Sequence, residues 1–442
     1  MKLNRKKFFQ IHSWIGIQLS ILFFLVCFSG TLAVLSHEMD WLFNPEMRAE
    51  PQKELASRNL IYDNFKKSFP DAELTYWAKS NEPYLCDIMY AYNAEKDHTK
   101  YVFANPYKGE IQGSSNLTIQ RFFRDFHYYL FIPFNQIGNY IVLVFAFFLL
   151  ASTITALVFY KKWYKKLFQL TLNKGPLVLW RSAHRLIGLW SLPFALLFSI
   201  TGIWYFVERA DVGNLSEKLD TNVPELDAKF YADYSKKDKF NFTIDIDKAI
   251  SIAQNEIPGL KVEKIILPRK HGNFIYLNGE SHVPLVRSRA NRVYINPYNF
   301  EVAHVQKAEH LNWQTYINDI ADPLHFGYWG GIWAKIIWFI MGLGISGLIL
   351  SGTWIAIKRT FKKKRKTAKM NKVMRFVNYT ITLGFVFFMY GMLITYYKVG
   401  FHVLLMVSIS LIITLISVYL LYIKPFKTKQ KSGKVEHKKI YS

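Results

Sequence analysis

Hydrophobic residues gather in six long runs. These are Trp14–Leu35, Ile137–Tyr160, Leu186–Val207, Trp333–Ile357, Phe376–Tyr397 and Phe401–Ile423. Each is close to or above the roughly 20 apolar residues that a helix needs to cross a bilayer. The pattern therefore predicts a polytopic α-helical membrane protein of about six spans. Two long polar stretches, about 36–136 and 208–332, interrupt the runs. Inside them the period shortens. A helix is predicted near Ala56–Ser68, followed by alternating strands at Glu73–Lys79, Leu85–Tyr92 and Lys100–Ala104. The second stretch repeats this order, with a helix near Ile246–Glu256 and strands at Lys261–Leu267, Asn273–Leu277 and Asn291–Ile295.

This likeness extends along the chain as a tandem repeat. IHSWIGIQLSILFFLVCFSGTLAVLSHEMD from Ile11 matches AHRLIGLWSLPFALLFSITGIWYFVERAD from Ala183. His12 aligns with His184, Gly16 with Gly188, Ser29-Gly30 with Thr201-Gly202, and Asp40 with Asp211 to within one residue. Both polar stretches close on Asn-Pro-Tyr, at Asn105–Tyr107 and Asn296–Tyr298, and both copies then place a histidine, His127 or His325, before the next span. Residues 1–165 form repeat one, 166–365 repeat two, and 366–442 a two-span C-terminal hairpin with a basic tail. Repeats in the same orientation relate by an axis along the membrane normal, which predicts a pseudo-twofold bundle of the first four spans.

Charge orients this scheme. Segments 1–13, 161–185, 358–375 and 424–442 hold 28 of the 56 Lys and Arg residues, and their only acid is Glu436. They sum to +27 of the net +24, leaving −3 for everything else. Such a split places both termini in the cytoplasm by the positive-inside rule. The run Lys362–Lys366 then reads as an anchor beside anionic headgroups, not as a nucleic-acid site. The first run exceeds the roughly 7–15 apolar residues of a signal-peptide core, so a retained helix is expected. The two cysteines, Cys27 and Cys86, make no disulfide framework, and no C-x-x-C-H is present for covalent haem attachment.

Six of the 12 histidines lie at span ends: His12, His37, His127, His184, His325 and His402. Symmetry pairs His12 with His184 on the cytoplasmic side and His127 with His325 on the outer side. Two imidazoles from different helices are what a six-coordinate haem iron requires, so two pairs predict two non-covalent haems. Zinc would need a third or fourth ligand at each site. His37 breaks the symmetry and competes for the outer site, as does His402. Arg185 on one side, and Arg121, Arg124 and Arg209 on the other, are candidates for haem propionates or for plain interfacial anchoring.

The repeated motifs, together with DPLHFGYWGGIWAKIIWFIMGLGISGLILSGTWIAIKR, resemble the PepSY-associated transmembrane family over about Phe9–Arg359. That family includes iron-regulated inner-membrane proteins and siderophore reductases. The resemblance implies two periplasmic α+β PepSY-like domains, multi-pass placement in a bacterial inner membrane, and b-type haems on His12, His127, His184 and His325. Copy one's HYYLF departs more from the pattern than copy two's HFGYW. The expected function is transmembrane electron transfer that reduces a ferric siderophore or similar chelate, with a quinol or a cytoplasmic reductase as donor. The alternatives are a membrane-anchored binding or protease-regulating module without redox chemistry, and a permease for the intact chelate. Reporter fusions at Tyr62 and Lys248 are expected to read as non-cytoplasmic; a cytoplasmic signal at either position overturns the topology.

Overall fold

The computed structural model describes residues 4–80, 82–219, 223–236, 238–362 and 370–420. His437 and the basic tail lie outside the described residues. Copy one enters through α1 (Arg5–Gln18), α2 (Ser20–Val34) and α3 (Ser36–Phe43). Its polar part holds α4 (Arg58–Ser68) and strands β1 (Glu73–Ala78), β2 (Asp87–Asn93), β3 (His98–Ala104) and β4 (Ile111–Ser115). It leaves through α5 (Ile119–Tyr129) and α6 (Asn135–Phe159). Copy two repeats the order with α7 (Pro176–Trp190), α8 (Leu192–Arg209), a short α9 (Leu215–Leu219) and α10 (Ile246–Glu256). Strands β5 (Lys261–Ile266), β6 (Ile275–Glu280), β7 (Asn291–Ile295) and β8 (Val302–Gln306) follow, then α11 (Trp313–Phe326) and α12 (Gly331–Lys362). The hairpin is α13 (Lys372–Gly391) and α14 (Phe401–Val418).

Helices α6, α12 and α13 are each long and apolar enough to cross a membrane. The expected first and third spans are not single helices. α1 and α2 meet at 75°, α7 and α8 at 59°, and each reaches spanning length only as a bent pair. Counting each pair as one span gives five; the sixth expected run, Phe401–Ile423, extends past the described residues. Within a bilayer a broken helix must find partners for its freed backbone groups. In copy two Pro193 lacks the N–H that would continue the ladder, and the Ser191 hydroxyl donates to the Ile187 carbonyl at 2.7 Å. Copy one has no proline there. Instead the fully buried Asn378 of α13 donates to the Gln18 carbonyl (2.7 Å) and accepts from the Leu22 N–H (3.4 Å). The C-terminal hairpin thus plugs the break in the first span.

The breaks set the packing. α1 lies on α6 and α7 on α12, each within its own copy, whereas α2 lies on α12 and α8 on α6, each in the other copy. Each entry helix therefore crosses from its own exit helix to its counterpart's, which interlocks the two copies.

The polar stretches also join. All eight strands form one antiparallel sheet in the order β4-β3-β2-β1-β5-β6-β7-β8, sealed at its centre where Trp77 pairs with Ile265 and Ala78 with Lys264. One core beneath α4 and α10 draws on both copies, with Phe65, Trp77, Met89, Val102, Ile265, Leu277 and Val293 all inaccessible to solvent. The helix starts cap each other. Asp247 accepts from the Arg58 N–H at 2.8 Å, and Asn59 accepts from the Ile246 N–H at 2.7 Å. The Asn-Pro-Tyr motifs do not end the folds. Asn105 and Asn296 accept from the N–H two residues on, at 2.9 Å each, and turn the chain into β4 and β8.

Three polar links bind the helices to one another and to the loops of the sheet. Asp125, fully buried, pairs with Arg121 (3.0 Å) and Arg124 (3.3 Å) and accepts from the Tyr397 hydroxyl. Arg287 pairs with Asp322 at 2.9 Å. Lys335 of α12 bridges Glu38 of α3 and Glu82 of the β1–β2 loop, both at 2.8 Å. Lys335 is 7 % exposed, so its removal strands two carboxylates that are mostly out of water. Lys335→Met is expected to cost about 3 kcal/mol, read as a lowered Tm in detergent, and adding Glu38→Gln and Glu82→Gln to restore most of it. An unchanged Tm in the single variant refutes this role.

Candidate functional site

Four of the six span-end histidines come together in two pairs. The His12 and His184 rings lie 6.4 Å apart, centre to centre, with planes at 85°. The His127 and His325 rings lie 6.3 Å apart with planes at 26°. A metal–imidazole bond of about 2 Å, with roughly 1 Å from nitrogen to ring centre on each side, puts two imidazoles on one ion about 6 Å apart. Both pairs have that separation.

Each ring is held by its Nδ1. His12 Nδ1 donates to the Ser152 carbonyl of α6 at 3.0 Å, and His127 Nδ1 to the Val26 carbonyl of α2 at 3.0 Å. A carbonyl only accepts, so both rings carry their proton on Nδ1. His184 Nδ1 meets the Ser351 hydroxyl of α12 at 2.9 Å, and His325 Nδ1 meets the Thr201 hydroxyl of α8 at 2.7 Å. Each of these hydroxyls spends its own proton on a helix carbonyl, Leu348 (3.2 Å) and Leu197 (2.7 Å) respectively. They are thus able to accept from the imidazoles. His12 and His127 are Nδ1–H tautomers, and the Nε2 atoms of all four rings are without a hydrogen-bond partner among the described residues. A metal-ligating histidine is fixed by its other nitrogen in this way.

The sequence motif Ser29-Gly30 / Thr201-Gly202 acquires a meaning here. Ser29 lies 3.3 Å from His127 Nδ1 and Thr201 holds His325. A Cβ at Gly30 would sit 2.7 Å from His127 Cε1, so only glycine leaves the ring its place. Ser152 and Ser351 carried no role in the sequence reading. Their signal was a matched offset, 25 and 26 residues after His127 and His325.

The remaining candidates are placed elsewhere. His37 is exposed on α3 and His402 is exposed at the start of α14; neither makes a ring contact with the outer pair. Arg121 is engaged by Asp125 and by the Tyr397 hydroxyl (3.1 Å). Arg124 stacks on Tyr128 at 5.6 Å, and Arg209 stacks on the same ring while donating to its hydroxyl. Arg185 donates to the Tyr160 hydroxyl (3.0 Å) and the Gln169 carbonyl (2.7 Å), but its Nε is buried without a partner.

A family model described as the PepSY-associated TM region matches residues 9–359. The chain belongs to the PepSY-associated transmembrane family. No curated protein matches it. In this PepSY-associated protein the matched region includes both histidine pairs and all four residues that hold them. Among the described residues, no three His, Cys, Asp or Glu side chains converge as they would on a single structural metal ion. The donor set is instead two imidazoles per site, the set that suits a haem iron whose other four ligands come from the porphyrin.

Gly30→Val is expected to displace His127 and to abolish any absorbance that a cofactor bound between His127 and His325 contributes. Any signal from a cofactor between His12 and His184 should persist. Equal loss of both signals, or of neither, contradicts the packing role given to Gly30.

Proposed function

We propose that this PepSY-associated protein is a six-span bacterial inner-membrane protein with both termini cytoplasmic, and that it carries electrons across the membrane on two b-type haems to reduce a ferric siderophore or similar chelate in the periplasm. One observation carries this reading: two pairs of imidazoles, one toward each end of the bundle, are spaced for a shared iron and leave Nε2 without a hydrogen-bond partner among the described residues. His12 and His184 would hold the haem on the cytoplasmic side, His127 and His325 the one on the sheet side. Haem iron, when bound, supplies reversible one-electron chemistry at each position.

The chain's own residues do the rest. Ser152, Ser351, Val26 and Thr201 fix ring orientation before any ligand arrives, so no reorganisation is needed on binding. Phe159 packs on His12 at 5.4 Å, and Phe198 on His325 at 5.5 Å, excluding water from the rings. Tyr205 also covers His325, at 5.4 Å, and its hydroxyl donates to Asp322 at 2.6 Å, so a proton is held beside the outer pair. Reduction of the chelated iron is a sensible output, because affinity for hard oxygen donors falls with metal charge and the metal is released. The electron donor at the cytoplasmic side is a quinol or a reductase.

The deciding experiment is the spectrum of protein made with ample haem. A pyridine haemochrome assay is expected to find two haems per chain. His12→Ala and His184→Ala should each remove one signal, and His127→Ala and His325→Ala the other. Because the ring planes differ by 85° in one pair and 26° in the other, the two low-spin signals should also be separable by electron paramagnetic resonance. Colourless, iron-free protein overturns the redox reading in favour of a membrane-anchored binding module.

A further inference from the structure

A second polar feature lies near the outer pair and has no part in holding a haem. A cavity of about 200 Å³ opens between the end of α8, α9, β7 and α11. Arg292, Thr315, Asn318 and Asp319 line it, with Glu208 and Arg289 beside them.

The wall is chemically incomplete. Asn318 and Asp319 are both inaccessible to solvent, yet Asn318 Nδ2 and Asp319 Oδ2 have no hydrogen-bond partner among the described residues. A buried polar atom left without a partner is destabilising, so the cavity wants a polar occupant. The rest of each side chain is already committed. Trp204 Nε1 donates to Asn318 Oδ1 at 3.0 Å, which turns the amide so that Nδ2 is the atom left over. Asp319 Oδ1 accepts from Arg289 at 2.9 Å, leaving Oδ2 as an acceptor with its charge balanced. Arg292 donates only to the Arg289 carbonyl (2.8 Å) and has no carboxylate partner among the described residues. The occupant must therefore accept from a guanidinium and an amide N–H, and donate to a carboxylate oxygen.

We propose that this cavity is a hydroxycarboxylate site. A carboxylate on the ligand meets Arg292 and Asn318 Nδ2, and the adjacent hydroxyl donates to Asp319 Oδ2. Position supports a link to the reaction. Asn318 precedes His325 by seven residues on α11, roughly 10 Å along the helix. Trp204, which orients Asn318, is followed directly by Tyr205, which packs on His325. Resting on the redox reading above, the form this site holds is the metal-free hydroxycarboxylate, because a ferric complex uses the same carboxylate and the deprotonated hydroxyl on iron; the site then takes up the chelator that reduction at the outer pair sets free.

The test is binding without reduction, on the full chain in detergent. Isothermal titration uses citrate, ferric citrate and an uncharged ferric trihydroxamate as probes. Wild type is expected to bind citrate at least tenfold more tightly than ferric citrate or the trihydroxamate. Arg292→Ala should weaken citrate binding at least tenfold, and Arg292→Lys less. Asn318→Asp keeps the acceptor for Trp204 but replaces the N–H donor with a carboxylate oxygen, and should weaken binding by a similar factor. Thermal unfolding checks that each variant is folded. The proposal is overturned if folded wild type binds no citrate and the cavity holds water only. It is also overturned if both variants bind citrate as wild type does, or if the trihydroxamate binds equally with the same dependence on Arg292. Citrate binding by protein with no reducible haem spectrum removes the redox reading and leaves the site; coloured protein without citrate binding does the reverse.

Discussion

Four oxygen atoms decide which nitrogen of each paired histidine is left over. The carbonyls of Ser152 and Val26 can only accept, so His12 and His127 carry their proton on Nδ1, while the hydroxyls of Ser351 and Thr201 engage Nδ1 of His184 and His325. The bonds run between helices, so they exist only because helices meet at these heights. That meeting depends on the bends at Leu19 and Ser191, which swing each entry helix from one exit helix to the other. The bend in copy one in turn depends on Asn378, far away in sequence, to satisfy the backbone it opens. The site is thus conditional on a hairpin that touches no histidine.

Much of this arrangement was legible. The helix at Ile246–Glu256 matches its predicted limits, because its apolar period and its Asp245 cap agree. The histidines that come together are those paired by repeat symmetry, since duplicated helices bring equivalent residues to equivalent heights. What escaped were features without a local signature. Gln18-Leu19-Ser20 contains neither proline nor glycine, so the first bend is invisible without Asn378. The strands at Ile111–Ser115 and Val302–Gln306 are short edge strands with no buried face to impose alternation. The joining of the two polar stretches depends on a seam between β1 and β5, which are distant in sequence and carry no turn signal. The arginines were legible as interfacial, but a guanidinium's partner is set in three dimensions, as Arg121 and its buried Asp125 illustrate.

The repeat is symmetric in its histidines and opposite in its surrounding charge. Six and three residues before the histidine, copy one has Arg121 and Arg124, whereas copy two has Asp319 and Asp322. Copy two answers its aspartates with Arg287 and Arg289 from the sheet; copy one answers its arginines with Asp125 on the same helix. The two halves of the outer rim are therefore built from different elements. Of these acidic residues in copy two, the buried Asp319 leaves Oδ2 without a hydrogen-bond partner beside a cavity, as Asn318 leaves its Nδ2, among the described residues.

The single eight-stranded sheet has a mechanical consequence. Solute carriers built from repeats work by rocking one half against the other, which requires the halves to part in turn on each side. Here the halves are stitched through paired backbone between β1 and β5, through a common apolar core, and through helix starts that cap one another. Parting them on that side would tear a sheet and expose its interior. The frame behaves as a clamp that fixes distances between the copies on that side and resists any motion that would separate the two histidine-bearing halves.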